Sequence, residues 1–181
     1  MYVPRHLFFT KGIGIDKEKL SSFEIALRSA RIAHLNIVSV SSIYPPNCRI
    51  IDIDQGLEML EPGEITHCVI AKEQSNEPGR RLVAAVGLAL PSETGHYGYL
   101  SEHHGFGQTQ TEAGEYAEDL AASMLANTLG INFDPDKHYD ERREVYDMSG
   151  KVVESDHFAQ ATLGSEGGLW TTVLAAAVFV K

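Results

Sequence analysis

The sequence predicts an α+β domain whose helices cover the faces of its sheets. Three observations carry that expectation. Two segments repeat apolar residues at helical spacing, roughly seven others have the length and β-branched content of strands, and no repeat or long linker divides the 181 residues. Hydrophobic residues make up 43% and charged residues 22%, the balance of one folded domain with a sizeable core.

The elements follow in order. "HLFFTKG" (residues 6–12) reads as a short strand closed by glycine. A helix is expected from Asp16, because Leu20, Phe23, Leu27 and Ala30 recur with charges between them. Asp16 can cap it by accepting a bond from an otherwise unpaired backbone N–H. "LNIVSVSSI" (35–43) has the composition of a strand, and Pro45-Pro46 stiffen its exit by fixing their own φ and extending the residue before them. Residues 50–64 carry glycine, proline and acids, and predict a loop containing a short helix. "EITHCVIAKEQ" (64–74) and "RRLVAAVGLAL" (80–90) read as strands joined through "SNEPG", and "GHYGYLSEHHG" (95–105) as another. The clearest helix comes next, with Ala113, Tyr116, Ala117, Leu120, Ala121, Met124 and Leu125 on one face and Gly130 ending it. "DPDKHYDERREVYDMSG" (134–150) is polar enough to be a helix end, a loop or an edge strand. Two strands, at about 152–163 and 169–180, finish the chain.

The formal charge of −10 argues against a nucleic-acid binder, which needs basic surface to meet phosphates. Cys48 and Cys68 stand in no CxxC or CxxH spacing, so they are expected to be reduced and partly buried. "MYVPRHLFFTKG" has no signal-peptide pattern, and "LWTTVLAAAVFV" is too short to span a bilayer, so a cytoplasmic protein without a membrane segment is expected.

Several local motifs lead nowhere. "KGIG" lacks the spacing and the Lys-Ser/Thr pair of a phosphate-binding loop. In "EHH" (102–104) adjacent strand residues point to opposite faces, so His103 and His104 would not share a metal ion, and no metal site is expected. No GxSxG elbow supports a hydrolase triad. Ser41-Ser42, taken as a dipeptide, fits ordinary turn residues that bond to nearby backbone.

The surroundings of that dipeptide give it another meaning. "SFEIALRSARI", "LNIVSVSSIYPPN", "NEPG", "GYLSEHHGFG", "AGEYAEDLAASML" and "LWTTVLAAAVFV" occur in that order over nearly the whole chain. Together they resemble the pyruvoyl-dependent arginine decarboxylases, the Ser-Ser followed by Ile-x-Pro-Pro being the specific landmark. The resemblance implies an α/β/β/α sandwich of two mainly antiparallel sheets. It also implies a proenzyme that cuts itself between Ser41 and Ser42 into a β chain (1–41) and an α chain (42–181), Ser42 becoming a covalent pyruvoyl group. The group's ketone would condense with the α-amine of L-arginine and take up the electrons left by CO2, giving agmatine for polyamine synthesis.

Site residues carry over by position. Asn36 would assist processing and line the site, its amide donating to the oxyanion that forms at the Ser41 carbonyl. Glu102 would protonate Cα, which requires a raised pKa of the kind burial gives. Glu24 would pair with the substrate guanidinium, although the better-known form has aspartate, one methylene shorter. Leu35 and Ile43 match apolar pocket positions and could equally be core. His103 and His104 depart from the better-known form and receive no role. The resemblance further implies a homotrimer of αβ protomers, or a hexamer, with sites between subunits. Glu24 keeps open a decarboxylase of lysine, ornithine or histidine. A non-catalytic paralogue acting as a binding subunit and a metal hydrolase using residues 102–104 are the readings from other classes.

Overall fold

The computed structural model describes residues 2–93, 95–130 and 152–181. The polar stretch 134–150 lies outside the described residues.

The described elements are β1 (His6–Asp16), α1 (Lys19–Ser29), β2 (Asn36–Ser39), β3 (Ile43–Tyr44), β4 (Arg49–Ile50), α2 (Ile53–Glu58), β5 (Ile65–Ser75), β6 (Arg81–Pro91), β7 (Gly98–Phe106), α3 (Gln110–Thr128), β8 (Val152–Leu163) and β9 (Trp170–Val180). They form a five-stranded sheet in the order β2-β5-β9-β1-β4 and a four-stranded sheet in the order β3-β7-β6-β8. Pairing is antiparallel except for β1 with β4 and β2 with β5.

Alternation along the strands builds the layers. On β9, Val173, Ala175, Ala177 and Phe179 meet Leu82, Ala84, Val86 and Leu88 of β6, and form the core between the sheets. Phe9 and Phe158 stack there with ring centroids 4.1 Å apart. The alternate residues Leu174, Ala176 and Val178 pack outward against Ala26 and Ala30 of the α1 region. Ala113 and Ala117 of α3 cover Val83 and Ala85 on the outer face of the other sheet. The result is the α/β/β/α sandwich, and the apolar C-terminal stretch is its buried strand β9.

Three local expectations change. Gly12 does not end β1, which runs on to Asp16. A Cβ at Gly12 would run into the Ala26 carbonyl oxygen and one at Gly14 into that of Ser22, so "KGIG" lets α1 lie directly on the sheet. Asp16 is not the cap of α1: Glu18 occupies that position, and the Asp16 carboxylate accepts the Glu18 N–H at 2.9 Å. Leu20 is 78% exposed, because the buried face of α1 is made by Ser22 and Ala26.

The face of α3 is similarly turned. Ala113, Gly114, Ala117, Ala121 and Leu125 are buried, whereas Tyr116 and Leu120 are exposed. Small residues bring this helix close to β6, where a Cβ on Gly87 would strike the Ala117 backbone. Thr109 and Glu112 form a reciprocal capping box at its start. Gly130, at φ 67°, follows its end as expected. Among the described residues, no helix is long and apolar enough to cross a membrane.

Candidate active site

The segment 35–43 is not one strand. β2 ends at Ser39 on the edge of the five-stranded sheet, its direction continued only by the Val40 N–H donating to the Cys68 carbonyl at 3.0 Å. β3 begins at Ile43 on the edge of the other sheet. The Ser41–Ser42 peptide therefore lies in the short link that carries the chain from one sheet to the other.

Backbone bonds hold that link from both sides. The Ile43 N–H donates to the Ser41 carbonyl at 2.9 Å, closing a γ-turn around Ser42. The Leu100 N–H of β7 donates to the Ser42 carbonyl at 2.8 Å. Downstream, the Cys48 N–H bonds the Pro45 carbonyl at 3.2 Å, and the buried Tyr44 hydroxyl donates to the Cys48 carbonyl at 2.6 Å. Burial, first among its causes, raises the Tyr44 pKa, and burial likewise pushes the Cys48 thiol up to about 11.

Glu102 stands beside this link. Ser42 faces Leu100 across the ladder, and Glu102 is two residues further along β7 on the same face, a diagonal spacing of roughly 7–8 Å between backbones. Its carboxylate crosses to the other sheet and accepts the Ile70 N–H of β5 at 3.1 Å. That N–H lies just beyond the point where β2 leaves β5, so the carboxylate takes the place of a missing ladder partner. Cys68 lies close by, its thiol pushed up to about 12 by burial and then by the charge of Glu102. In the single chain the Glu102 side chain is exposed rather than buried. It lines a hollow of about 490 Å³ with Phe23, Ile37, Ile70, Lys72 and His104.

Other expected residues lie elsewhere. Asn36 begins β2, five residues before Ser41, hence roughly 16 Å away along an extended strand at 3.3 Å per residue. Its amide donates to the Gly63 carbonyl at 2.7 Å, so within one chain it does not meet the Ser41 carbonyl. Glu24 sits on α1 next to Phe23, and both its oxygens are already taken by a guanidinium: Arg28 Nη2 donates to them at 2.7 and 2.9 Å, and Nε at 3.3 Å. Leu35 is buried among Phe8, Ala26 and Ala30. Ile43 is 39% exposed and shares with Ser41 a second hollow of about 380 Å³, on whose wall His67 also lies. The register thus places Glu102 diagonally across the ladder from Ser42, while Ser41 and Ile43 line a different hollow from Glu102 and Asn36 stands further back along β2.

Two residues near the link carried no sequence signal. Lys72 lies 4.2 Å over the Phe23 ring in the Glu102 hollow. His67, hydrogen-bonded to the Tyr2 hydroxyl at 3.0 Å, belongs to the other hollow. Both follow from the alternation of β5 once its neighbours are known. His103 bonds Gln108 at 2.7 Å, while His104 faces the other way and bonds Glu73 at 3.1 Å. No group of three metal-ligating side chains occurs among the described residues.

Residues 6–181 match the family model described as pyruvoyl-dependent arginine decarboxylase. A probable pyruvoyl-dependent arginine decarboxylase from Chloroherpeton thalassium is 55% identical over 179 residues, covering 99% of this chain and 98% of the relative. The pyruvoyl-dependent arginine decarboxylase of Methanococcoides burtonii is 53% identical over 178 residues, 98% of this chain and 99% of the relative. Pyruvoyl-dependent arginine decarboxylase 2 of Methanosarcina acetivorans is 52% identical over 178 residues, 98% and 97% of the two chains.

Proposed function

Because the chain belongs to the pyruvoyl-dependent arginine decarboxylase family, we propose that it converts L-arginine to agmatine and CO2 with a pyruvoyl group made from its own Ser42. The observation that carries this reading is the γ-turn at the crossing between the sheets, with the Ser41 carbonyl on the Ile43 N–H and Glu102 alongside.

The residues present fit the making of such a group. When the Ser42 hydroxyl adds to the Ser41 carbonyl carbon, negative charge develops on an oxygen that already has a donor at 2.9 Å. Breaking the C–N bond leaves an ester and a free Ser42 amine. Loss of the Ser42 Cα proton with breaking of the Cβ–O bond then releases the Ser41 carboxylate and leaves dehydroalanine, which tautomerises to an imine; addition of water with loss of ammonia leaves the ketone. The products are residues 1–41 and 42–181. They need not separate, since β1 is paired along its length with β9 and β2 with β5.

Once formed, the pyruvoyl group supplies a sink for the electrons released as CO2 departs. The chain's own side chains do the rest. Glu102 delivers a proton to the substrate Cα from its place diagonally across the ladder from Ser42. Glu24 offers both oxygens to a guanidinium, the arrangement it already holds with Arg28. Asn36 stands away from Ser42 of its own chain along β2, Glu24 is held by Arg28, and Val38 and Ile43 are each 39% exposed near the free edges of β2 and β3. These features favour a site shared between copies in a homotrimer, or in a hexamer, where Asn36 of one copy assists the neighbouring link.

Release of CO2 from arginine, lysine, ornithine and histidine tests the substrate. Agmatine as the main product supports the proposal. Equal or faster release from another amino acid would reassign the substrate while leaving the chemistry standing.

A further inference from the structure

At one end of the five-stranded sheet, three neighbouring strands each deliver a cation to one hollow. Arg5 precedes β1, Arg49 opens β4 and Lys181 follows β9. Backbone bonds fix them side by side, since the Arg5 N–H donates to the Val180 carbonyl at 3.2 Å and the Arg49 N–H to the Arg5 carbonyl at 2.9 Å. All three line a hollow of about 770 Å³ that also includes His6 and Asn47, and no acidic side chain lines it. Lys181 reaches Glu64 at 3.5 Å, but among the described residues neither arginine has an ion-pair partner. His6, one of the lining residues, has a buried Nδ1 without a hydrogen-bond partner.

Such a grouping is unfavourable as it stands. Like charges opposed on neighbouring strands repel. The chain has 25 acidic residues against 15 basic ones, yet no Asp or Glu side chain lines this hollow. We propose that the hollow is a binding site for a phosphoryl oxyanion. Two guanidinium forks and an ammonium group suit the several oxygens of a phosphate, and the volume admits a diphosphate or the phosphates of a nucleotide. The hollow adjoins the one beside Ser41, sharing Tyr2, Val3, Pro4 and Pro46 with it, but its cations Arg5, Arg49 and Lys181 do not line that second hollow.

Isothermal titration of the purified full-length protein with inorganic phosphate, pyrophosphate and ATP, at ionic strength held constant with sodium chloride, tests this. Saturable binding of at least one probe is expected, at one site per chain, and the strongest probe identifies a free phosphate, a diphosphate or a nucleotide as the source. An Arg5→Gln/Arg49→Gln variant should weaken it by about tenfold or more. If that double variant does not fold, Arg49→Lys, which keeps the charge and loses the fork, should still weaken binding measurably. No saturable binding of any probe, binding that disappears once chloride balances the charge, or affinity unchanged in the variants would overturn the proposal.

Discussion

The two ways in which this chain joins strands to the sandwich differ sharply. β6 and β9 sit inside their sheets, paired on both sides over most of their length and buried on both faces. β2 and β3 are edge strands of four and two residues, exposed apart from Ile37 and Tyr44. The link between them is held by a few backbone bonds. The first region resists change because its packing is continuous. The proposed cleavage would take a covalent bond from the second, on which little of the fold depends. Chemistry that cuts the chain belongs at such a crossing, where a peptide is positioned without being part of the core.

Substitutions can break that contrast. Ser42→Ala should have the largest functional effect: no cleavage and no decarboxylation, with thermal stability changed by only about 0.5 kcal/mol, as expected for a small change outside the core. Mass spectrometry and a melting curve check the two halves of that statement. A melting temperature that falls as far as for a core substitution would mean that the link is structural. Glu102→Gln should leave cleavage intact and reduce kcat by about 10²–10⁴-fold, the usual worth of a positioned proton donor. Equal loss of cleavage would show that Glu102 acts in processing first.

The core side of the comparison is tested by Gly12→Val. Its side chain would meet the Ala26 carbonyl and the Ala30 backbone, so a loss of about 3 kcal/mol or more is expected, read by urea unfolding. The smallest effect concerns Glu24. Its pair with Arg28 is mostly exposed and worth about 1 kcal/mol or less, so Arg28→Ala should lower KM for arginine a few-fold with kcat unchanged. An increase in KM would assign Arg28 to substrate binding rather than to competition with it.

How much of this the sequence carried depended on the kind of information each feature needs. Amphipathic spacing located both long helices, and the apolar run at the C-terminus located β9, because burial is written into local periodicity. The break between β2 and β3 was not legible, since residues 36–44 keep strand composition while changing sheets. Gly12 reads as a stop in the sequence because a glycine that ends a strand and one that admits a helix look alike without the partner. Tyr116 and Leu120 have helical spacing too, yet the small residues on the adjacent face win the contact with β6. At the candidate site, Ser41, Ser42 and Glu102 are singled out only by a resemblance carried by motif order. The roughly 16 Å between Asn36 and Ser41 along the strand needed β2 to be seen.

The most direct test of the account is the intact mass of the freshly purified, fully assembled protein under denaturing conditions. Two fragments split after Ser41 are expected, residues 1–41 with a free carboxylate and a 42–181 chain whose first residue is a pyruvoyl group instead of serine. The larger fragment should therefore be lighter than the simple hydrolysis product by one ammonia. A single chain of 181 residues that stays uncut on prolonged incubation of the assembled protein would contradict it.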